Sequence, residues 1–236
     1  ASDPVRAVRV NAAWGLRGID LAELTPEHRS SVQAAFADWK TFAAIGSDEP
    51  ESHHNMGIFL SAQGEGAEAE AAYRRAITLE PRAVGPRHNL AMLLIAMGRI
   101  DMARTELDAL VAIDPGFAAA WYALGMIHGE ESRWPEAVRA LSACLKADPL
   151  YPRALTDITH AYLNAGVPNV ARVVLMSAIQ HEQTKREALA GLVRVAVASG
   201  DRSEARGWAA ELSRADPAAT KNPLVAELLA ESPTTP

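Results

Sequence analysis

Seven histidines and one cysteine are the residues of this 236-residue chain that have the chemistry of metal ligands or strong nucleophiles. His53 and His54 are adjacent, so on a helix their side chains point in different directions and do not converge on one ion. A single cysteine excludes both an intrachain disulfide and a cysteine-based metal cluster. By themselves these residues predict neither a metal centre nor a redox pair.

Catalytic motifs are also absent from the sequence. It contains no Gly-x-Ser-x-Gly, no phosphate-binding loop and no His-Glu-x-x-His, the patterns that position a nucleophile, a phosphate or a zinc ion. The glycine-containing run at 64–70 leads into an acidic helical segment, which is typical of a turn between helices. We therefore predict that the chain is not an enzyme and that it holds no cofactor.

The elements that position any site follow from a recurring proline. Pro81, Pro115 and Pro149 close similar helical segments 34 residues apart, and Pro217 lies two such intervals further on. Proline cannot continue a helix, and it forces the preceding residue out of the α region. Gln183 occupies the intermediate place, where the period would put a fourth proline. The period therefore gives five units: 50–83, 84–117, 118–151, 152–185 and 186–219.

Small residues recur at fixed places in these units and predict close packing of two helices. The twentieth place is alanine in every unit, and the eighth holds Gly57, Ala91, Gly125, Thr159 and Val193. A glycine follows the first helix in four units, where a left-handed residue ends the helix without steric cost. Ser132 replaces that glycine in the third unit, so we expect a turn there that is somewhat strained or differently shaped.

A period of 34 residues with Trp or Leu, Leu, Gly, an aromatic residue, Ala and Pro in order resembles the tetratricopeptide repeat. The resemblance implies an all-α fold, a right-handed α-solenoid (superhelix) of paired antiparallel helices, and a binding scaffold as the class of function. Residues 50–217 would form five repeats and residues 218–236 a capping helix with a tail. Residues 1–49 would form an atypical N-terminal pair, whose first helix resembles a HEAT-type repeat.

Helix starts outside the five units are indicated by proline at the first helical position. These prolines predict helices over 3–16, 26–44 and 223–230, and a frayed tail over 232–236. In the first helix, Val5 and Val8 lie on the predicted packing face.

Candidate binding residues come from the family resemblance. In this family the first helix of each pair lines the concave side, and certain repeat positions point into it. The N-terminal half would present an adaptable, mostly uncharged surface, and the C-terminal half would add cations that suit a carboxylate. The alternative reading is a set of solvated polar groups on a curved surface. The positions hold His54, Ile58, His88, Met92, Tyr122, Met126, Arg153, Thr156, His160 and Arg194.

A metal reading of the histidines is disfavoured by spacing. His54 and His88 are equivalent in neighbouring units, whose first helices would be about 10 Å apart, too far for bonds of about 2.0–2.1 Å to one ion. The resemblance places His128 where a packing aromatic is usual and Cys144 where a small packing residue is usual. We expect a partly buried, hydrogen-bonded histidine and a buried, inert thiol.

One tetratricopeptide subfamily binds the acidic C-termini of chaperones through Lys, Asn, Asn, Lys and Arg. Only one of the five matches here, so the resemblance does not extend to a chaperone carboxylate clamp. The corresponding places hold His54, Ile58, Asn89, Ala119 and Ala123.

The composition limits the classes of partner that the chain can bind. The net charge is −6 and no Lys/Arg block is present, which argues against nucleic acid. No apolar, uncharged run is long enough to span a bilayer. We predict a protein or peptide partner. The alternative is a structural, self-assembling module that packs through solenoid ends or convex faces, and the sequence leaves the oligomeric state open.

A narrower resemblance involves the runs DPVRAVRVNAAWGL and PESHHNMG, which look like the C-terminal part of bacterial multihaem c-type cytochromes. Because the chain starts at Ala1 without a signal pattern, we expect it to be a piece of a longer protein. The resemblance implies C-x-x-C-H haem sites upstream, a docking role for this part and a place outside the cytoplasm; otherwise we expect a cytoplasmic protein. No C-x-x-C-H occurs in this chain, so it binds no covalent haem itself.

Overall fold

The computed structural model describes residues 4–43, 48–151 and 153–230. These residues form α-helices and two short 3₁₀ helices, Leu21–Glu23 and Pro217–Lys221, and include no strand. The α-helices are α1 Pro4–Leu16, α2 Pro26–Ala43, α3 Pro50–Ala62, α4 Gly66–Leu79, α5 Val84–Ala96, α6 Ile100–Ile113, α7 Ala118–Glu130, α8 Trp134–Ala147, α9 Ala154–Asn164, α10 Pro168–Ala178, α11 Glu182–Ala198, α12 Arg202–Ala215 and α13 Pro223–Ala230.

The chain divides into two compact units, Ala1–Asp114 and Pro115–Pro236. Unit one contains α1 to α6 and unit two contains α7 to α13. In five of the six helix pairs each helix packs most closely on its partner, and α13 packs on α12. The α9–α10 pair is the exception, since α9 packs more extensively on α8 and α10 more extensively on α11. The predicted all-α fold class of the α-solenoid type is confirmed. The domain limits predicted at residues 49 and 217 stay a prediction.

Small residues hold the two helices of a pair close together, as predicted. The alanine at the twentieth place is at most 1% exposed in all five pairs. At the eighth place of the third pair, a Cβ added to Gly125 would lie 2.6 Å from Cγ of Leu141. A side chain at Gly125 would therefore separate α7 from α8. The five alanines are Ala69, Ala103, Ala137, Ala171 and Ala205.

The turn inside each pair needs a left-handed residue. The glycine there has φ between 72° and 76° in four pairs, a region that glycine enters without a Cβ clash. Ser132 takes the same role in the third pair with φ 58°, which confirms the predicted strained turn. The four glycines are Gly64, Gly98, Gly166 and Gly200.

Aromatic rings join the N-terminal pair to the first repeat. The Trp39 ring of α2 stacks on Phe59 of α3 with centroids 4.1 Å apart, and Phe36 meets Phe59 edge-on at 5.2 Å. Trp14 of α1 stacks on Trp39 at 5.5 Å. Offset-stacked and edge-on pairs of this kind stabilise a core beyond the area they bury.

The predicted packing face of α1 is wrong in its first two turns. Val5 and Val8 are 61% and 68% exposed. The reason is electrostatic, since Arg6 and Arg9 both pair with Asp38 of α2, at 3.3 Å and 2.7 Å. Charged groups thus occupy the side of α1 that faces α2, and the valines point away. Asp3 and the tail at 232–236 lie outside the described residues.

The predicted boundary between the fourth and fifth units also needs correction. Helix α11 begins at Glu182, four residues before the predicted start of the fifth unit at 186. The Thr184 hydroxyl donates to the carbonyls of Ala178 and His181, at 2.7 Å and 3.3 Å. Because Gln183 replaces the proline that closes other units, nothing stops the helix from starting early.

An ion-pair network ties α4, α5 and α6 together. Glu70 accepts from Arg74 at 2.9 Å and also from Arg99, while Glu106 accepts from Arg87 at 2.7 Å and pairs with Arg74 at 3.4 Å. Burial raises the pKa of Glu70, but its hydrogen bonds and charge contacts with Arg99 and Arg74 outweigh this effect and leave the pKa below its usual value. Glu70 is therefore held ionised.

The C-terminal helix covers the apolar end of the fifth repeat. Val225 and Leu228 of α13 are buried in a cluster with Leu189 and Leu212, as the predicted cap requires, while Leu229 remains partly exposed. No helix in the described ranges is both long enough and apolar enough to cross a bilayer.

Replacing Gly125 with alanine tests the close approach of α7 and α8. We expect the free energy of unfolding to fall by about 1–2 kcal/mol, because overpacking against Leu141 outweighs the better helix propensity of alanine. Urea unfolding followed by circular dichroism measures the change. The matched control is Gly207→Ala on α12, where a Cβ meets nothing within 4 Å and stability should rise slightly. Equal effects of the two variants would contradict the packing account.

Candidate functional site

All but one of the ten predicted binding residues lie within the first helices of their pairs. Unit one carries four of them and unit two carries six. The members are His54 and Ile58 on α3, His88 and Met92 on α5, Tyr122 and Met126 on α7, Thr156 and His160 on α9, Arg194 on α11, and Arg153 as the residue before α9.

His54 is bonded to the next repeat of unit one. Its Nε2 lies 2.9 Å from Nδ2 of Asn89 on α5, and a Cβ added to Gly85 would meet the imidazole at 2.9 Å. Burial lowers the pKa of His54, and the charge of Glu51 opposes that shift. A neutral imidazole accepting from the Asn89 amide fits these observations, so His54 helps to stack α3 on α5.

A pocket of about 290 Å³ opens between α3 and α5, and we call it the α3–α5 pocket. Ile58 and Met92 stand on its two sides, and Tyr73 of α4 forms part of its wall. Both predicted residues are half-buried. The remaining lining residues are Ser61, Asn89, Leu93 and Ala96.

Tyr122 repeats the role of His54 in unit two. Its hydroxyl donates to Oδ2 of Asp157 on α9 at 2.8 Å, and its ring packs against Tyr151 with centroids 5.0 Å apart. Burial and the Asp157 carboxylate raise the pKa of Tyr122 to about 12, against a small opposing effect of Arg153. Tyr122 therefore remains a neutral donor that joins α7 to α9.

A second pocket of about 230 Å³, the α7–α9 pocket, lies between these helices. Met126 lines it on the α7 side and His160 on the α9 side, and the ring of Trp134 meets His160 edge-on at 5.6 Å. His160 also lies 3.1 Å from the amide nitrogen of Asn164. The pocket combines an apolar wall with an exposed imidazole.

The largest of these pockets, about 390 Å³, is the α11–α13 pocket of unit two. Thr156 of α9 and Arg194 of α11 form one edge, and α12 and α13 close the other side. Burial lowers the pKa of the Arg194 guanidinium, and the charge of Asp157 opposes the shift. This pocket unites two predicted residues that belong to neighbouring repeats.

Four of the ten predicted residues do not line the three pockets. His54 and Tyr122 bond across repeats instead. Arg153 is exposed and has a left-handed backbone with φ 64° just before α9. His88 is half-buried on α5; burial lowers its pKa and a hydrogen bond with Asn89 opposes the shift.

Sequence reasoning missed Asn89, Asp157 and Trp134. Asn89 and Asp157 both occupy the sixth place of a unit and bond to a ring at the fifth place of the preceding unit. That offset of 35 residues is a signal that a search for polar pairs one period apart would have found. Trp134 had no such signal, because its position at the start of α8 is not an inward-facing place in the repeat.

Metal and nucleophile chemistry find little support. No group of three or more His, Cys, Asp and Glu side chains that could hold a metal occurs among the residues in the structure's three described ranges. Cys144 is buried, as predicted, and burial with the nearby Asp148 raises its pKa to about 12. His128 is partly buried as predicted, with Nδ1 4.0 Å from Glu131.

Residues 60–127 match the family model of the tetratricopeptide repeat. The matched stretch runs from the end of α3 into α7 and includes all of α4, α5 and α6.

Curated relatives with similar sequence are peroxisomal targeting signal receptors. The receptor of Eremothecium gossypii is 27% identical over 180 residues, which is 70% of this chain and 29% of the receptor. That of Yarrowia lipolytica is 32% identical over 78 residues, 33% of this chain and 13% of the receptor. The chain thus spans less than a third of the length of these relatives.

Solved structures share the fold. PilF of Pseudomonas aeruginosa is 17% identical with a TM-score of 0.59, over 98% of this chain and 99% of that one. YrrB, described as a tetratricopeptide repeat protein with an unusual peptide-binding site, is 13% identical with a TM-score of 0.62, over 80% of this chain and 95% of that one. None of the proteins named here is a cytochrome, so the cytochrome resemblance stays a prediction.

Unit one should lose stability in mild acid. The folded-state pKa values of His54 and His88 lie below the usual 6.5, so the unfolded chain binds more protons just below that pH. The stability that comes from keeping His54 and His88 neutral is complete above about pH 6.5. It declines as the pH falls through the pKa values of the two histidines in the folded chain.

Thermal unfolding at pH 7.5 and pH 5.5 measures this effect. We expect the melting temperature of the His54→Gln/His88→Gln chain to differ less between the two pH values than that of the wild-type chain. His28→Gln removes an exposed histidine of α2 and serves as the control. A pH dependence that is unchanged by the double substitution would contradict the assignment.

Proposed function

We propose that the chain is a protein-interaction module that binds an extended segment of a partner along the exposed faces of its first helices. One observation carries the proposal: predicted binding positions line pockets between consecutive first helices in both units. Ile58 and Met92 share the first pocket, Met126 and His160 the second, and Thr156 and Arg194 the third.

The spacing of pockets suits an extended peptide. In unit two, α9 contributes Asp157 and His160 to one pocket and Thr156 to the next. Helices packed side by side are about 8–10 Å apart, and an extended chain advances about 3.3 Å per residue. A bound segment would therefore place a side chain in successive pockets about every third residue.

The pocket walls favour apolar side chains with few charges. Met92 and Met126 are flexible and polarisable, so they adapt to ligands of different shape. The polar groups of His54 and Tyr122 are already bonded to Asn89 and Asp157. Affinity would thus come mainly from burial of apolar groups, and these two rings would position the helices; their predicted direct contact with a ligand stays a prediction.

The similar proteins support a peptide or protein as the ligand class. The curated relatives are named receptors of a peroxisomal targeting signal, and the YrrB structure is described by its peptide-binding site. The repeats, the absence of catalytic motifs in the sequence and the raised pKa of Cys144 support a binding role over an enzymatic one.

A link to multihaem cytochromes would make the same surfaces a docking arm for a redox partner. The support is the sequence resemblance alone. A haem absorption band in the protein purified from its source would favour the link, and a colourless protein would contradict it.

Self-assembly is the second candidate, and one observation favours it. The outer face of α10 exposes four apolar side chains at helical spacing, where the other second helices carry mainly charged, polar or small residues. Val173 is 71% exposed, and its equivalent in α6 is Thr105. Exposed apolar patches of this kind mark contact surfaces. The four residues are Val167, Val170, Val173 and Met176.

Peptide selection tests the preferred function. We expect a displayed library of random peptides to yield binders whose affinity falls about tenfold or more in Met92→Glu or Met126→Glu, because a charge would enter an apolar pocket. Fluorescence anisotropy with a synthetic selected peptide measures the affinity. Ala71→Glu introduces the same charge on the exposed side of α4 and should leave binding unchanged. A library without binders, or equal losses in all three variants, would refute the proposal.

Light scattering over a concentration series tests the second candidate. If α10 mediates assembly, the wild-type mass exceeds that of one chain, and Val173→Glu restores the single-chain mass because a carboxylate cannot be buried unpaired. Thr105→Glu places the same charge at the equivalent position of α6 and should not change the mass. A single-chain mass at every concentration rules self-assembly out.

A further inference from the structure

The α11–α13 pocket has an apolar floor built by the last repeat and the capping helix. The floor is a side of the core cluster that α13 closes, and its residues come from α11, α12, the Pro217–Lys221 3₁₀ helix and α13. The apolar lining residues are Ala190, Val193, Leu212, Ala219, Leu224 and Val225. At about 390 Å³ the pocket has the size of a small-ligand site, and it would accept a large aliphatic or aromatic side chain.

Arg194 is the unusual group at the edge of this floor. Its Nε is buried and has no hydrogen-bond partner among the described residues. Asp157 acts on it electrostatically, but that carboxylate already accepts the Tyr122 hydroxyl. A buried N–H without a hydrogen-bond partner costs free energy, and an oxygen atom of a ligand or of a water molecule can supply the missing partner.

The other charged residues that line the pocket do not neutralise Arg194 at this edge. Arg186 lies 3.7 Å from Asp216, so these two largely neutralise each other. Glu187 precedes Arg194 by seven residues on α11, which places it about 10 Å further along the helix axis. Its negative charge therefore acts on the opposite end of the pocket.

We propose that the α11–α13 pocket binds an acidic residue followed by an apolar residue within a partner segment. The carboxylate would bind Arg194, and the apolar side chain would pack on the floor that includes Val193 and Val225. A planar guanidinium can bind both oxygens of a carboxylate. The proposal rests on the proposed function, because it specifies the ligand of one pocket in the same series.

An internal acidic residue is favoured over a chain terminus by the position of Arg194. Its edge of the pocket is shared with Thr156 of α9, and one turn along α9 lies His160, which lines the α7–α9 pocket. A segment that fills both pockets crosses this edge as continuous chain. The carboxylate at Arg194 then belongs to a side chain.

Three short probes separate the possible ligands by methyl NMR of the whole chain. They are acetyl-Glu-Leu-amide, its neutral analogue acetyl-Gln-Leu-amide, and acetyl-Gln-Leu with a free terminal carboxylate. We expect the first probe to shift the methyl signals of Val193, Leu224 and Val225 and to bind about tenfold more tightly than the neutral one, as a charge-assisted hydrogen bond implies.

Substitutions test whether Arg194 is the residue that makes the acidic probe bind more tightly than the neutral one. Arg194→Gln should make the acidic and neutral probes bind alike, and Arg194→Lys should retain part of the preference. Arg214→Gln, an exposed arginine of α12 outside the pocket, should leave it intact. Circular dichroism verifies that each variant is folded.

Three results would overturn the inference: equal affinity of the acidic and neutral probes for the wild-type chain, equal losses in Arg194→Gln and Arg214→Gln, or tightest binding of the terminal carboxylate. The library selection with Met92→Glu is independent of Arg194. Failure of that selection alone would refute peptide binding in general, while failure of the probes alone would refute only the assignment to this pocket.

Discussion

Close packing of the two helices in each pair is the constraint on which the rest of the structure depends. It uses a buried alanine of the second helix, such as Ala137, and in two pairs a glycine of the first helix, Gly57 or Gly125, where a Cβ would clash with Tyr73 or Leu141. Because the contact uses one side of the first helix, the opposite side is free of this requirement. Packing therefore fixes the scaffold and part of the α7–α9 pocket, whose wall includes Gly125 and Ala137, while Met126 and His160 of the same pocket lie outside the helix-pair contact.

Hydrogen bonds between successive first helices determine how neighbouring repeats stack. His54 with Asn89 and Tyr122 with Asp157 are polar bridges at the same repeat offset, one in each unit. A buried polar pair stabilises only when both partners are satisfied, so these bridges select one register of neighbouring repeats. The pockets beside them are consequently pre-formed, which reduces the entropy that a ligand must lose on binding.

Sequence periodicity predicted the helices, the left-handed turns and the small packing positions, because these depend on local backbone chemistry repeated every 34 residues. Six of the ten candidate residues that it selected line pockets. It failed for Val5 and Val8, whose surroundings depend on Asp38 twenty-nine residues or more away. It did not predict the hydrogen bond from Tyr122 to Asp157, since a bond across repeats leaves no trace in a pattern of hydrophobic residues.

The central claim is that partner segments bind at the pockets between first helices. Methyl NMR of the chain titrated with a library-selected peptide tests it most directly, because every methyl group reports separately. The account predicts shifts at Met92, Met126 and the methyl groups of the α11–α13 pocket, with the outer face of α10 unchanged. Shifts confined to Val170 and Val173, with the pockets unaffected, would contradict it.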